Sequence, residues 1–336
     1  MRPFTYARAE NAADAVRAAG QQQAVPVQAP TQFLAGGTTL IDLMKLDVMR
    51  PERLVDINPL QQAGLIEDTS NGLRLGGMVR MAQAAADPRI RRDYPVVAQS
   101  LELAASQQLR NMASLAGNVL QRTRCPYFRD VSYANCNKRN PGSGCAALEG
   151  VNRQHAVLGT SRDCIAAYPG DFAQALMVLD AQVELNGSKG TRTIPFASLH
   201  RPPGNTPHVE TVLAADDLIT GFVLPRAPGA RRSLYLKIRD RESYEFALAS
   251  AAVALDLQGD RVREARIALG GVATVPWRSR EAEDALKGQV LDDAVIASAA
   301  DAAFGAAEPH EHNAFKIALG KQTLIRAVRQ AASMEL

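Results

Sequence analysis

The spacing of apolar positions divides the chain into short helical and extended runs. Residues 10–20 form an Ala-rich, helix-forming run ended by glycine. Gln32-Phe33-Leu34-Ala35 is a short apolar run that leads into Gly36-Gly37-Thr38-Thr39, and residues 40–45 then follow helical spacing. Strand, glycine turn and helix are the expected order there. Residues 53–57 and 73–77 read as further strands. Val97, Leu101, Ala104 and Ala105 share one face of a helix that the pattern carries to about Arg110. Residues 173–179 predict a helix, 181–185 a strand and 218–224 another. Residues 248–257 and 261–269 predict a hairpin around Gln258-Gly259-Asp260. Ile317, Leu324, Ile325 and Val328 give the tail one helical face.

Between 121 and 169 this periodicity lapses. The stretch is rich in Arg, Asn and Gly, and it holds every cysteine of the chain: Cys125, Cys136, Cys145 and Cys164. A loop this long inside a compact domain is usually functional or disordered. Pro-rich punctuation at 201–207 and 225–229 marks a connector and a linker. The reading is an α+β chain with a larger N-terminal unit, 1–225, an insertion at 121–169, and a smaller C-terminal unit, 230–336.

Composition narrows the function classes. With 336 residues, 46% of them hydrophobic, the chain can build more than one core. A net charge of +3 is too small for the footprint of a nucleic-acid binder. No run reaches the ~18 apolar residues of a membrane span. Met1-Arg2-Pro3-Phe4-Thr5-Tyr6 shows neither a signal peptide nor a twin-arginine signal, so a cytoplasmic location is expected from this chain alone. In a reducing compartment, clustered cysteines suggest a metal before they suggest disulfides.

Gly36-Gly37-Thr38-Thr39 suits a phosphate, because glycine lets backbone N–H groups approach closely and the hydroxyls add hydrogen bonds. It is neither a Rossmann fingerprint nor a P-loop. A helix terminus offers an exposed anion only about 0.3–1 kcal/mol, so one such turn would not hold a nucleotide. Ala113-Ser114-Leu115-Ala116-Gly117-Asn118 supplies a second small-residue turn, and two together can clamp a pyrophosphate; two unrelated turns are the alternative. The cysteines are spaced C-x10-C-x8-C-x18-C, without the C-x2-C of zinc ribbons or the close runs of ferredoxins. Four thiols suit either metal. Arg110, Arg122, Arg124, Arg129, Lys138, Arg139, Arg153 and Arg162 surround them, and such cations offset a thiolate-bound cluster. Four unligated thiols in a basic loop remain the alternative. His310 and His312 do not share a helix face, and no G-x-S-x-G or H-E-x-x-H is present.

Taken together, Ala35-Gly36-Gly37-Thr38-Thr39-Leu40, Arg110-Asn111-Met112-Ala113-Ser114-Leu115-Ala116-Gly117-Asn118, Tyr235-Leu236-Lys237 and Asn313-Ala314-Phe315-Lys316 resemble the FAD-binding subunits of the xanthine dehydrogenase/carbon monoxide dehydrogenase family of molybdenum hydroxylases. The resemblance covers almost the whole chain. It implies a PCMH-type FAD-binding domain of two subdomains, about 1–56 and 57–225, followed by a small α+β domain of the carbon monoxide dehydrogenase flavoprotein type. It also implies that Phe33, Leu34, Ala35, Gly36, Gly37, Thr38, Thr39 and Leu40 embrace the FAD pyrophosphate together with Ala113, Ser114, Gly117 and Asn118. Leu109 would support them, Asp171 would hydrogen-bond the cofactor, and Lys237 would lie near the flavin ring, where a cation favours the reduced anion. Ala116 stands where glycine is frequent, and Gly170 where the family carries serine. The 52 residues between Asn118 and Asp171 are the larger departure. They are similar to the insertion of 4-hydroxybenzoyl-CoA reductase and of bacterial periplasmic aldehyde oxidoreductases, the latter nearer, where four cysteines hold an extra [4Fe–4S] cluster. By that resemblance Cys125, Cys136, Cys145 and Cys164 are its ligands here.

The implied function is an FAD- and [4Fe–4S]-binding electron-transfer subunit of a molybdenum-dependent aldehyde oxidoreductase. Its partners would be a small [2Fe–2S] subunit and a large molybdenum-cofactor subunit on which the substrate reacts, with an external acceptor taking the electrons. No catalytic residue is then expected on this chain. Such a complex can also be exported on a partner's signal, so periplasmic location by co-export stands beside the cytoplasm. Three other readings stay open: a zinc-stapled interaction module, the flavin subunit of a hydroxybenzoyl-CoA-reductase-like or xanthine-dehydrogenase-like complex, and a stand-alone flavin oxidase.

Overall fold

Short N-terminal strands each followed by a helix dictate parallel pairing, because a parallel neighbour is reached only through a crossover. The computed structural model describes residues 1–20 and 24–336. In it Arg53–Asp56 lies between Thr5–Arg8 and Thr31–Leu34, with Tyr6 and Gln32 both opposite Leu54. The first crossover carries the helix Ala12–Ala19, whose first turn is capped by Asn11 Oδ1 accepting from the Asp14 amide at 2.9 Å. The second carries Leu40–Lys45. Adjacent strand residues point to opposite faces. Val55 accordingly enters one small core with Ala15 and Ile57, and Leu54 another with Leu43 and Met44.

A five-stranded antiparallel sheet follows, in the order Ile66–Thr69, Gly72–Gly76, Leu218–Pro225, Gln182–Gly187, Gly190–Pro195. Leu73, Leu75, Phe222 and Val183 enter a core they share with the helices Met81–Ala86, Pro95–Glu102 and Phe172–Val178. The third sheet is antiparallel, in the order Trp277–Arg278, Arg261–Gly270, Ala249–Gln258, Ser233–Ile238. Its central strand is apolar on both faces, as a doubly covered strand must be. Ala252 and Ala254 belong to the core of the five-stranded unit, whereas Ala251, Val253 and Leu255 meet the helices Arg280–Leu286, Asp293–Ala303 and Phe315–Ala332. The shared face fixes the two units against each other.

One expectation is corrected. The helix read through 97–110 is two, Pro95–Glu102 and Gln107–Met112. Ala105 takes a φ of +50°, and Ser106 Oγ accepts from the Leu109 amide at 3.3 Å to begin the second. Apolar spacing continues across this point but does not register a capping serine that redirects the chain. Residues 121–169 hold a single four-residue helix, Pro126–Arg129, and otherwise isolated bridges. No described helix is long and apolar enough to cross a membrane.

Candidate functional site

The strand Thr31–Leu34 releases Ala35-Gly36-Gly37-Thr38-Thr39 at its C-terminal end, directly against the second turn. A Cβ on Gly36 would lie 2.0 Å from Met112 O, so the turns meet backbone to backbone and only glycine fits. Gly37 supplies a φ of +74°. The second turn is fastened to the end of Gly72–Gly76: the Ala116 amide donates to Gly77 O at 2.9 Å and the Leu115 amide to Val79 O at 3.0 Å. Ser114 Oγ accepts from the Gly117 amide at 3.2 Å. The helices after the two turns have only six and five residues. What the turns offer an anion is therefore close backbone approach rather than a long macrodipole.

Two residues without a role in the sequence reading bracket this contact. Asn58 Nδ2 donates to Ala35 O at 3.0 Å, and Arg80 donates to Asn58 Oδ1 and to Met112 O, both at 2.7 Å. Each turn thus has one carbonyl tied to the same Asn–Arg pair.

Two cavities meet at Thr38, Thr39 and Gly117. One, of about 190 Å³, is lined by Val27, Phe33, Gly36, Leu40, Ser114 and Leu213. The other, of about 470 Å³, is lined by Leu109, Ala113, Asn118, Arg124, Asp171 and Phe246. This two-lobed trench with glycine turns at its waist has the form of a dinucleotide site. Asn118 Oδ1 is buried without a hydrogen-bond partner, although its Nδ2 reaches Met81 Sδ at 3.4 Å. An orphaned acceptor costs about 1–3 kcal/mol, and a ligand donor at this wall relieves it. The residues present therefore fit FAD.

Two of the expected residues lie off the wall. Leu34 packs with Leu43 and Leu54, and Lys237 stands behind Asp171. Asp171 is buried, with Oδ2 accepting from Lys237 Nζ at 2.8 Å and Oδ1 from the Tyr235 hydroxyl at 2.5 Å. Lys237 Nζ also donates to Leu103 O at 3.1 Å. Burial, then the adjacent Asp171 charge, pushes the Tyr235 hydroxyl well above its ordinary range, so it remains a donor. Gly170 is explained by its neighbour: a Cβ there would come within 2.6 Å of the Tyr168 ring, whose hydroxyl holds Val119 O at 2.8 Å.

In the insertion, Cys136 and Cys145 face each other across an antiparallel bridge, and Cys164 is bridged to Ser161. All four thiols are free, Cys136 and Cys164 buried and the other two partly so. Burial pushes Cys125 up to about 12 and Cys164 up to about 11, and it raises Cys145 as well. Charge on neighbouring thiols adds to this: Cys136 and Cys164 act on Cys125, Cys136 on Cys145, and Cys145 and Cys136 on Cys164. Among the described residues, no three His, Cys, Asp or Glu side chains close on one point tightly enough to hold a single metal ion. His155 Nε2 lies 3.1 Å from Cys125 Sγ, and burial holds the imidazole down at about 4, hence neutral at pH 7. Glu210 lies between the trench and the cysteines, 2.8 Å from Arg122 and 3.3 Å from Lys138. Burial raises its carboxyl, but the two cations outweigh that and hold it at about 2.

Residues 2–227 match the family described as the FAD binding domain in molybdopterin dehydrogenase, and residues 234–331 match the CO dehydrogenase flavoprotein C-terminal domain. The chain is 46% identical over 332 residues to the aldehyde oxidoreductase FAD-binding subunit PaoB of Escherichia coli (strain K12), covering 98% of this chain and 99% of that one. It is 24% identical to the glyceraldehyde dehydrogenase medium chain of Sulfolobus acidocaldarius, across 87% of this chain and 84% of the relative. The solved structure of reconstituted CO dehydrogenase from Oligotropha carboxidovorans has the same fold, with a TM-score of 0.76 at 23% identity and full coverage of both chains (100%). With its two-lobed trench between glycine turns, and matched along nearly its whole length, the chain belongs to the family of FAD-binding subunits of the molybdopterin-dependent dehydrogenases.

Proposed function

We propose that this chain is the FAD- and [4Fe–4S]-carrying electron-transfer subunit of a molybdenum-dependent aldehyde oxidoreductase, working with a [2Fe–2S] subunit and a molybdenum-cofactor subunit. One observation carries the reading: Arg124, the residue before Cys125, lines the larger lobe of the trench, so the four-thiol segment abuts the flavin site. The likeness to an aldehyde oxidoreductase subunit over 98% of the chain supports the substrate class. FAD bound in this trench would supply the redox chemistry that links the partner subunits to an external acceptor.

The chain's own residues position and insulate the cofactor. Phe33 and residues 35–40, with Ala113, Ser114, Gly117 and Asn118, hold the dinucleotide, and Leu109 walls the larger lobe. Asn118 Oδ1 accepts a cofactor hydrogen bond. Asp171 is held in one orientation by Tyr235 and Lys237. Lys237, one hydrogen bond behind the cavity wall, neutralises Asp171, so the wall does not present an uncompensated carboxylate that would oppose a reduced, anionic flavin.

Cys125, Cys136, Cys145 and Cys164 are the proposed cluster ligands. A cuboidal cluster spaces its thiolates more widely than a single tetrahedral ion with bonds of about 2.3 Å, which suits thiols that share a field without closing on one point. The Ala166 amide reaches Cys164 Sγ at 3.5 Å, the kind of donor that stabilises a ligated sulfur. Thiols pushed up by burial keep their protons at pH 7 until a metal displaces them, so loading releases protons.

The test is anaerobic reconstitution of the full chain with FAD, iron and sulfide. The expected product holds flavin plus about four iron and four acid-labile sulfide, with an EPR signal after dithionite reduction. Flavin without iron, or zinc in place of iron, would overturn the cluster. Unimpaired aldehyde turnover by the chain without its partners would overturn the subunit role.

A further inference from the structure

We infer that Arg124, supplied by the cysteine segment, is the cationic contact for the diphosphate of the bound flavin nucleotide. The inference rests on FAD occupying the trench but not on the cluster.

It follows from the charges around the larger lobe. Three carboxylates line that cavity: Asp42, Asp171 and Glu245. Each has a cation of its own. Arg129 grips Asp42 through two bonds, Nη1 to Oδ2 at 2.8 Å and Nη2 to Oδ1 at 3.1 Å. Lys237 holds Asp171 at 2.8 Å, and Arg241 Nε lies 3.5 Å from Glu245. Arg124 also lines the cavity and is the cation left over. Its hydrogen bond among the described residues runs from Nη1 to Asp42 Oδ2, already satisfied by Arg129, at a long 3.3 Å. Its Nε is buried and has no partner.

Packing keeps this guanidinium in place. Its carbon lies 4.8 Å from the Phe246 ring centroid, so one face is taken by an aromatic and the N–H edge is left for a polar ligand. The Asp42 contact ties it to the helix Leu40–Lys45, which begins at the Gly36–Thr39 turn, and Thr38 and Thr39 line the same cavity. A partly buried cation whose carboxylate contact is long and shared with another arginine, beside a phosphate-suited turn, selects an anion. Of the groups in the flavin nucleotide, the diphosphate carries permanent negative charge. A guanidinium meets phosphate oxygens through two parallel N–H groups.

The test uses the full chain stripped of flavin and titrated with FAD and with riboflavin, which lacks phosphate, following flavin fluorescence. Arg124→Gln should weaken FAD by about tenfold or more, the size of one lost charged hydrogen bond, and change riboflavin affinity less than about twofold. Arg124→Lys should recover most of the loss. Arg124→Met keeps the aliphatic stem on Phe246 and serves if the glutamine variant fails to fold; it should repeat the selective loss. Unchanged FAD affinity in whichever variant folds would overturn the inference. An equal loss of FAD and riboflavin, or a lysine variant as weak as glutamine, would do so too. If FAD fails to bind even the unsubstituted chain, the trench assignment falls rather than the role of Arg124.

Discussion

The glycine turns and the cysteine segment border one trench but differ in how far regular structure holds them. The turns are fastened by backbone groups that extend regular structure, as where Gly77 O and Val79 O receive the second turn. Beyond the helix Pro126–Arg129, the cysteine segment has only backbone turns and isolated bridges, such as the Asn137 amide to Gly144 O at 2.8 Å and the Ala156 amide to Ile165 O at 2.9 Å. Long polar side chains reaching backbone carbonyls reinforce them. Arg139 Nη1 donates to Tyr127 O at 2.9 Å and Phe128 O at 2.7 Å, and its Nη2 reaches Tyr133 O. Lys316 Nζ, fully buried, donates to Gln154 O at 3.1 Å and Gly271 O at 2.7 Å. A region built on ladders folds with its sheet. One built on turns, isolated bridges and side-chain staples depends more on each single contact, and gains most from a ligand that cross-links it.

The largest effect is expected where the cysteine segment meets the trench wall. Glu210 lines the smaller lobe of the trench and pairs with Arg122 and Lys138, both of the cysteine segment. Glu210→Gln strands the buried Arg122 and removes the ion pair of the partly buried Lys138, and should cost about 3–5 kcal/mol in urea unfolding at pH 7. The pH dependence has a definite sign. A carboxyl held at about 2, below its ordinary 4.5, contributes stability that is full above about pH 4.5 and is lost as pH falls toward 2. The unsubstituted chain should therefore lose more stability than Glu210→Gln between pH 5 and pH 2, measured as the shift of urea midpoint. Parallel pH profiles would mean that Glu210 does not fasten the cysteine segment.

Gly36→Ala tests the turn side alone. Its methyl would meet a carbonyl that Arg80 also holds, so the strain cannot be relieved by a side-chain rotation. Overpacking of about 1–3 kcal/mol should weaken FAD by up to about a hundredfold while iron loading of the cysteines stays intact. Flavin titration with parallel iron analysis separates the two. On the other side, Arg139→Gln should cost about 1.5–3 kcal/mol, the value of charged hydrogen bonds. Amide exchange should rise across 125–145 before metal loading and fall after it. If loading leaves exchange unchanged, the segment does not depend on cross-linking.

Legibility in the sequence follows the same division. The glycine turns, the hairpin at Ala249–Gln258 and Arg261–Gly270, and the tail helix Phe315–Ala332 announce themselves through local signals: glycine, two-residue turns and helical period. The fold and FAD binding could be named because both turns and the Tyr235-Leu236-Lys237 strand match one family. The Asn58–Arg80 bracket, the surplus charge of Arg124 and the retreat of Lys237 behind Asp171 had no such signal. Each depends on which long-range partner reaches a carbonyl first, and spacing along the chain does not record that.

Ala105 shows the limit most finely and carries the smallest prediction. It sits where apolar spacing continues a helix, yet its φ of +50° turns the chain so that Ser106 can cap Gln107–Met112. That helix brings Leu109 to the trench and Met112 O against Gly36. A non-glycine residue in this left-handed region costs about 1–2 kcal/mol, so Ala105→Gly should stabilise the chain by about 0.5–1 kcal/mol once the roughly 0.4–1 kcal/mol of the freer unfolded state is subtracted. FAD affinity should change less than about twofold, since the turn contacts are untouched. A thermal melt and a flavin titration decide the matter together. Destabilisation would show that the Ala105 methyl, not the backbone bend, fixes where the second helix begins.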